Sequence, residues 1–392
     1  MLIALAAGLA ASISLSQAML AVLALWVLRE RVHGRLVLSW PLAGPILAFT
    51  GWTLLTALAS PAPADSLRVA RSLLMLATLW IVLHALADAA RARWFATALF
   101  VAFTVVAALS IVQVGTCGDD RLYGKALTLP PVLSSFFGKC ERAHGFYSIY
   151  MTLAGALALV LTLALPRLPH LRHRTAAIGA WLVGAVAFAL TFVRGAWVGF
   201  AAGVAMLACT LRRQVLVLAG VLVVAAAVLA VPGVLKRAMS VVDVTDPTAR
   251  ERIAMWSAGM ALVREHPVMG VGPGQVKRLY PEYAPAYAVR RQTSHLHNAP
   301  LQIAVERGLV GLALWLWIFA AFFVRAIRIG RGLPADALAD RSLVAGSTAA
   351  IAAFLVGGLF EYNFGDTEVL LVAMSVMALP FAIERDRGGS AS

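Results

Sequence analysis

The stretch SHLHNAPLQIAVERGLVGLALWLWIFAAFFVRAIRIGR, residues 294–331, decides how the chain folds. It opens on His295, His297 and Asn298, continues as an apolar run over 298–324, and closes on Arg325, Arg328 and Arg331. A helix of about 20 apolar residues crosses the hydrocarbon core of a bilayer. The stretch therefore reads as a membrane span with imidazoles at one end and guanidiniums at the other.

The same pattern repeats on both sides of it. Apolar runs fall at 3–28, 37–59, 68–87, 94–114, 145–165, 175–192, 195–211, 214–231, 342–360 and 367–383. Of the 392 residues, 61% are hydrophobic and 13% charged, and the mean hydropathy is +0.84. A soluble domain carries about twice that charge. The fold class is an all-α polytopic membrane protein of eleven or twelve transmembrane helices.

Arginines mark every second connection. Arg29, Arg31 and Arg35 follow the first run, Arg91 and Arg93 the third, and Arg167, Arg172 and Arg174 the fifth. Arg212 and Arg213 follow the seventh, the arginines quoted above the ninth, and Arg385 and Arg387 the last. By the positive-inside rule these loops are cytoplasmic. The net charge of +14 is thus a topology signal, and nucleic acid is excluded as a partner. The first run lacks a small-residue cleavage site and reads as a retained span rather than a signal peptide. Its length, near 39 Å as one helix, is long for one span and short for two. The polar stretch Ser12–Gln17 is where it would break into a hairpin.

The chain divides into N-terminal spans over 1–231, a large outer loop over 232–297, and C-terminal spans with a short cytoplasmic tail over 298–392. A smaller outer loop, about 115–144, holds Cys117 and Cys140, which on an oxidising side form a disulfide. The large loop is long enough to need helices of its own. Ile253, Trp256, Met260 and Val263 follow helical spacing there, as in a helix lying on the membrane surface.

Candidate chemistry gathers on the side away from the arginine-rich loops. Arg194, in the turn between the 175–192 and 195–211 runs, is either an interfacial anchor or a fixed anion ligand. The turn offers no acidic partner, which favours the ligand. Arg250, Arg252, Arg264, Lys277, Arg278, Arg290 and Arg291 add cations to the large loop. Guanidiniums bind phosphates bidentately. The outer four, Lys277, Arg278, Arg290 and Arg291, fit a solvated surface facing lipid headgroups. Gly270-Val271-Gly272-Pro273-Gly274 reads as a tight turn rather than a nucleotide loop.

His297 or Asn298 is placed to cap the helix that follows, with Pro300 in its first turn. His297 suits general-base activation of a hydroxyl. The competing readings are capping alone, or a metal held by His295 and His297, for which no third ligand has convincing spacing. Glu361, Asp366 and Glu368 crowd the last outer turn and could orient a histidine or hold an arginine.

His297-Asn298, followed by Gly308-Leu309-Val310-Gly311, resembles the signature of the O-antigen ligase and O-antigen polymerase superfamily. These are bacterial inner-membrane glycosyltransferases. Arg194 in its short turn, and Arg252, Trp256, Pro267, Gly270, Gly272 and Gly274 in the large loop, are similar to that family's pattern. The resemblance covers most of the chain from about residue 145, and its ligase branch is the nearer. Leu312-Ala313 departs from the small hydroxyl residues common after the signature's last glycine.

The resemblance implies a GT-C-like fold and inverting transfer without metal or other cofactor. The donor would be a glycan on undecaprenyl diphosphate and the acceptor lipid A–core oligosaccharide, at the periplasmic face. Arg194, Arg264 and Arg252 would bind the diphosphate, His297 would be catalytic, and His295, Asn298 and Asp366 would support it. The alternatives are a polymerase, a protein-glycosylating ligase, or a transporter or flippase of a lipid-linked solute. Transporters place charges at the bilayer midplane and pair broken helices in repeats. No such repeat is visible here.

Overall fold

The computed structural model describes residues 1–115, 142–210 and 247–389, and helix is the only regular structure among them. Cys117, Cys140, Arg212, Arg213 and the run at 214–231 lie outside the described residues. The chain is an all-helical polytopic membrane protein. Among the described residues, seven helical stretches are long and apolar enough to cross a membrane: Ile13–Val32, Pro63–Ala85, Ala89–Val114, Tyr150–His170, Ala299–Gly332, Leu338–Gly357 and Thr367–Arg387. Four shorter apolar helices accompany them, at Leu2–Ala11, Ala43–Leu58, Arg174–Leu190 and Arg194–Cys209.

In chain order the helices are α1 (Leu2–Ala11), α2 (Ile13–Val32), α3 (Ala43–Leu58), α4 (Pro63–Ala70), α5 (Thr78–Ala85) and α6 (Ala89–Gly115). After the first undescribed segment come α7 (Tyr150–Ala164), α8 (Arg174–Leu190) and α9 (Arg194–Thr210). The chain then continues as α10 (Pro247–Glu265), α11 (Val276–Tyr283), α12 (Ala299–Gly332), α13 (Leu338–Gly357) and α14 (Thr367–Gly389).

The N-terminal run does break at its polar stretch. Ser12 leaves helical geometry and caps α2 by accepting from the Leu15 amide at 3.3 Å. Residues α1 and α2 then fold against each other at Gly8, where a Cβ would meet the Ser16 nitrogen at 2.8 Å. With ten residues, α1 is about 15 Å long and cannot cross a bilayer alone.

Side chains tie the arginine-rich ends together. Asp340, in the first turn of α13, binds Arg93 of α6 and Arg387 of α14. Arg167, past the end of α7, donates to the Arg93 carbonyl at 2.7 Å and to Thr97 at 2.9 Å. Arg325 of α12 pairs with Glu384 of α14 at 2.7 Å. One face of the bundle thus collects the loops that the charge pattern assigns to one side.

Of the membrane-length helical stretches, those containing α7, α13 and α14 are the most buried, and α9 packs on α13 along a seam of small residues. A Cβ at Gly199 would sit 2.5 Å from the Ala353 carbonyl, and one at Gly203 2.9 Å from that of Ala349. Without side chains at these positions the two backbones touch, the usual source of cohesion between helices in lipid. That seam sets the height of the Arg194 turn against the end of α13.

The large loop carries α10 and α11, and docks on a break in α12. Gly308 takes φ +69° and ψ −179°, interrupting the helix. Carbonyls lose their helical partners at such a break and must find others. Val305 and Glu306 accept from the amides of Val271 and Gly272, each at 2.9 Å, and the Leu309 amide donates to Pro267 at 2.7 Å. A Cβ on Gly308 would lie 1.8 Å from the Val268 carbonyl. Gly308→Ala is expected to destabilise the protein by about 3 kcal/mol or more. Thermal unfolding in detergent checks this, and an unchanged midpoint would show that the break is dispensable.

Candidate active site

The site forms where the segment before α12 meets the turn between α13 and α14. Asn298 caps α12: its Oδ1 accepts from the Leu301 amide at 2.9 Å, while its Nδ2 donates to the Leu359 carbonyl at 3.0 Å. The Ala299 amide donates to the Gly358 carbonyl at 2.6 Å. The start of α12 is thereby sewn to Gly358 and Leu359, and Glu361 follows two residues later.

Glu361 is the centre of the cluster. Its Oε2 accepts from Nδ1 of His297 at 2.7 Å, and its Oε1 binds the Arg252 guanidinium of α10. A carboxylate only accepts, so Nδ1 carries the proton in this pair, which leaves Nε2 as the acceptor of the ring in its neutral form. The His297 and Glu361 side chains are 20% and 14% exposed, open enough to be touched by a substrate but shielded from bulk water. A base held in one tautomer by a carboxylate is the arrangement by which hydroxyl nucleophiles are activated.

The backbone at His297 is unusual. Its φ is +48°, a left-handed conformation that costs a non-glycine residue about 1–2 kcal/mol. Such conformations persist only where the surroundings over-determine them, commonly at functional sites. Phe192, two residues before Arg194, is also left-handed, with φ +55°.

Arg194 begins α9, and the adjoining Gly195 lies flat against Phe360; a Cβ there would be 2.5 Å from the Phe360 Cβ. The Arg194 turn therefore borders the residue preceding Glu361. Arg252 and His297, both singled out from the sequence, meet at Glu361, with Asn298 pinned to Leu359 and the Arg194 turn beside Phe360.

His295 belongs to the same cluster. Its ring stands edge-on to that of His297 with centroids 4.3 Å apart. Burial first, and the neighbouring His297 second, push its pKa down to about 4, so it is uncharged at neutral pH. Its carbonyl accepts from the Thr293 hydroxyl at 2.7 Å.

Two sequence-selected residues stand elsewhere. Arg264 is exposed in the last turn of α10, about 18 Å along the helix from Arg252 at 1.5 Å per residue. Asp366 precedes α14, accepting from the Val369 amide at 3.2 Å and the Thr152 hydroxyl at 2.6 Å. Its carboxylate thus caps a helix and ties α14 to α7. Lys277, Arg278, Arg290 and Arg291 are exposed, as a solvated surface would be. Among the described residues no group of three His, Cys, Asp or Glu side chains is arranged to hold a metal ion.

A second polar group, not singled out by the sequence reading, lies inside α12 below the site. Gln302, Glu306 and Arg307 are all buried, and Glu306 pairs with Arg307 at 2.6 Å. The available signal was two polar side chains, Gln302 and Glu306, one helical turn apart at the start of an apolar run.

No curated protein matches the chain. Residues 178–316 match a family model described as O-antigen ligase, a stretch that holds Arg194, Arg252, His297, Asn298 and the Gly308 break. With the site geometry beside it, this match supports placing the chain in the O-antigen ligase superfamily.

Proposed function

We propose that the chain is an O-antigen ligase, transferring a glycan from undecaprenyl diphosphate to lipid A–core oligosaccharide in lipopolysaccharide assembly. The superfamily acts as glycosyltransferases on lipid-linked glycans in general. The observation that carries the finer reading is the line Arg252–Glu361–His297, bordered by the Arg194 turn.

Nε2 of His297 takes the proton of the acceptor hydroxyl as its oxygen attacks the anomeric carbon. Glu361 holds the ring and balances the charge that develops on it. The bond from the anomeric carbon to the diphosphate breaks on the opposite face, and undecaprenyl diphosphate leaves. Arg252 has donors beyond the one that meets Glu361, and with Arg194 it stabilises the departing charge. No step needs a metal.

The site lies at the end of the bundle away from the arginine-rich loops, which the positive-inside rule keeps in the cytosol. This supports a reaction at the periplasmic face of the bacterial inner membrane.

Reconstitution tests the acceptor. Purified protein in liposomes, given undecaprenyl-diphosphate-linked glycan with lipid A–core, a second lipid-linked glycan and a protein acceptor together, is expected to modify lipid A–core, with or without a chelator. Growth of the lipid-linked chain would identify a polymerase instead. Strong inhibition by the chelator would overturn the metal-free step.

A further inference from the structure

His297 is held in its left-handed conformation by the residues on either side of it. Asn298 and Ala299 are pinned to Leu359 and Gly358, as described. On the other side the buried Leu296 is held at both ends of its residue: its carbonyl accepts from Trp256 Nε1 at 3.1 Å, and its amide donates to Gln302 Oε1 at 2.9 Å. Gln302 is fixed in turn, because its Nε2 donates to Glu306 Oε1 at 2.8 Å. The same Glu306 oxygen accepts from the Gly274 amide at 2.9 Å. Its other oxygen binds Arg307, whose Nε donates to Thr53 of α3 at 3.1 Å.

One continuous chain of bonds therefore runs from α3 and the glycine turn of the large loop, through Arg307, Glu306 and Gln302, to the peptide before His297. Gln302 and Glu306 are 1% and 2% exposed, too enclosed to meet a substrate. A group so placed acts through what it holds. Glu306 also carries two of the bonds that seat the large loop on α12, from the Gly272 and Gly274 amides. The loop that supplies Arg252 and the segment that supplies His297 thus share one carboxylate.

We propose that Gln302 and Glu306 are positioning residues that lock the His297 ring against Glu361 and couple that lock to docking of the large loop. This rests on the transfer reaction proposed above. Without the Gln302 acceptor the buried Leu296 amide has lost its bond. His297 is then released to relax out of its left-handed conformation, which swings the ring away from Glu361.

The test uses the full-length protein in liposomes with lipid-linked glycan donor and lipid A–core. In Gln302→Ala, kcat is expected to fall by about 100-fold, the scale on which small misplacements act, with donor KM near the wild-type value. Gln302→Glu is expected to fall similarly, since it sets two carboxylates face to face. Gln302→Met keeps the length and packing of the side chain but offers the Leu296 amide no comparable acceptor, and is expected to fall as Gln302→Ala does. A second readout needs no turnover: carbethoxylation of His297 by diethylpyrocarbonate, followed by peptide mass spectrometry. Its rate is expected to rise several-fold in both Gln302→Ala and Gln302→Met.

Wild-type kcat and wild-type His297 reactivity in Gln302→Ala would overturn the inference. If Gln302→Ala does not fold, wild-type kcat and wild-type His297 reactivity in Gln302→Met would overturn it equally. Reactivity that rises as expected, in a protein whose wild type transfers no glycan, upholds the positioning role and sinks the proposed reaction.

Discussion

Replacing His297 with alanine is expected to lower kcat for glycan transfer by about 10³-fold, within the range that a positioned general base supplies. Binding of the donor should survive, because the guanidiniums remain. The fold should survive too: the bonds that hold Leu296, Asn298 and Ala299 involve none of the ring's atoms. Glu361→Ala is expected to cost nearly as much, since it releases His297 and leaves Arg252 without its carboxylate. The two substitutions remove parts of one device, so H297A/E361A should be little worse than either alone. Transfer at the wild-type rate by purified, folded His297→Ala would take the ring out of the chemistry.

The second large effect falls on the guanidiniums. Loss of one donor to a developing oxyanion typically lowers kcat by about 10²–10³-fold, or roughly 3 kcal/mol in the barrier. Arg194→Ala is expected to show a loss of that size. Arg194→Lys should recover only part of it, because an ammonium offers a point charge where a planar fork binds two phosphate oxygens. Arg252→Ala is expected to combine the loss of a donor with a loosened Glu361. Arg264→Ala should be the mildest of the three, given its exposed place about 18 Å from Arg252 along α10. A ranking with Arg264 most severe and Arg194 neutral would move the diphosphate to the far end of α10.

The spans were legible because their signal is local: apolar runs of bilayer length. The hairpin break at Ser12 was visible for the same reason, as a polar stretch within an apolar one. The helix of the large loop was readable from Ile253, Trp256, Met260 and Val263, and spans Pro247–Glu265. What depended on distant contacts was harder to see.

Gly308 looked like one more residue of a signature, yet its break arises from pairing with Pro267 and the turn beyond it. Glu361 and Asp366 share one polar turn and one chemistry. Only packing separates them, because the end of α13 leans on the start of α12 while Asp366 faces α7. Gln302 and Glu306 lay hidden in an apolar run, where their partners are an amide six residues back and a glycine turn in the preceding loop. Arg264 was picked as one of the large loop's guanidiniums as well as by the resemblance, and helical rise sets it apart from Arg252.

The sidedness of residue 297 tests the whole account most directly. Alkaline phosphatase, which matures only outside the cytosol, and β-galactosidase, which works only within it, are each fused after residue 297 of the otherwise intact N-terminal portion. The account predicts high phosphatase and low galactosidase activity. High galactosidase with silent phosphatase would put His297, Glu361 and Arg252 on the wrong side of the membrane for a polyprenyl-linked donor displayed in the periplasm.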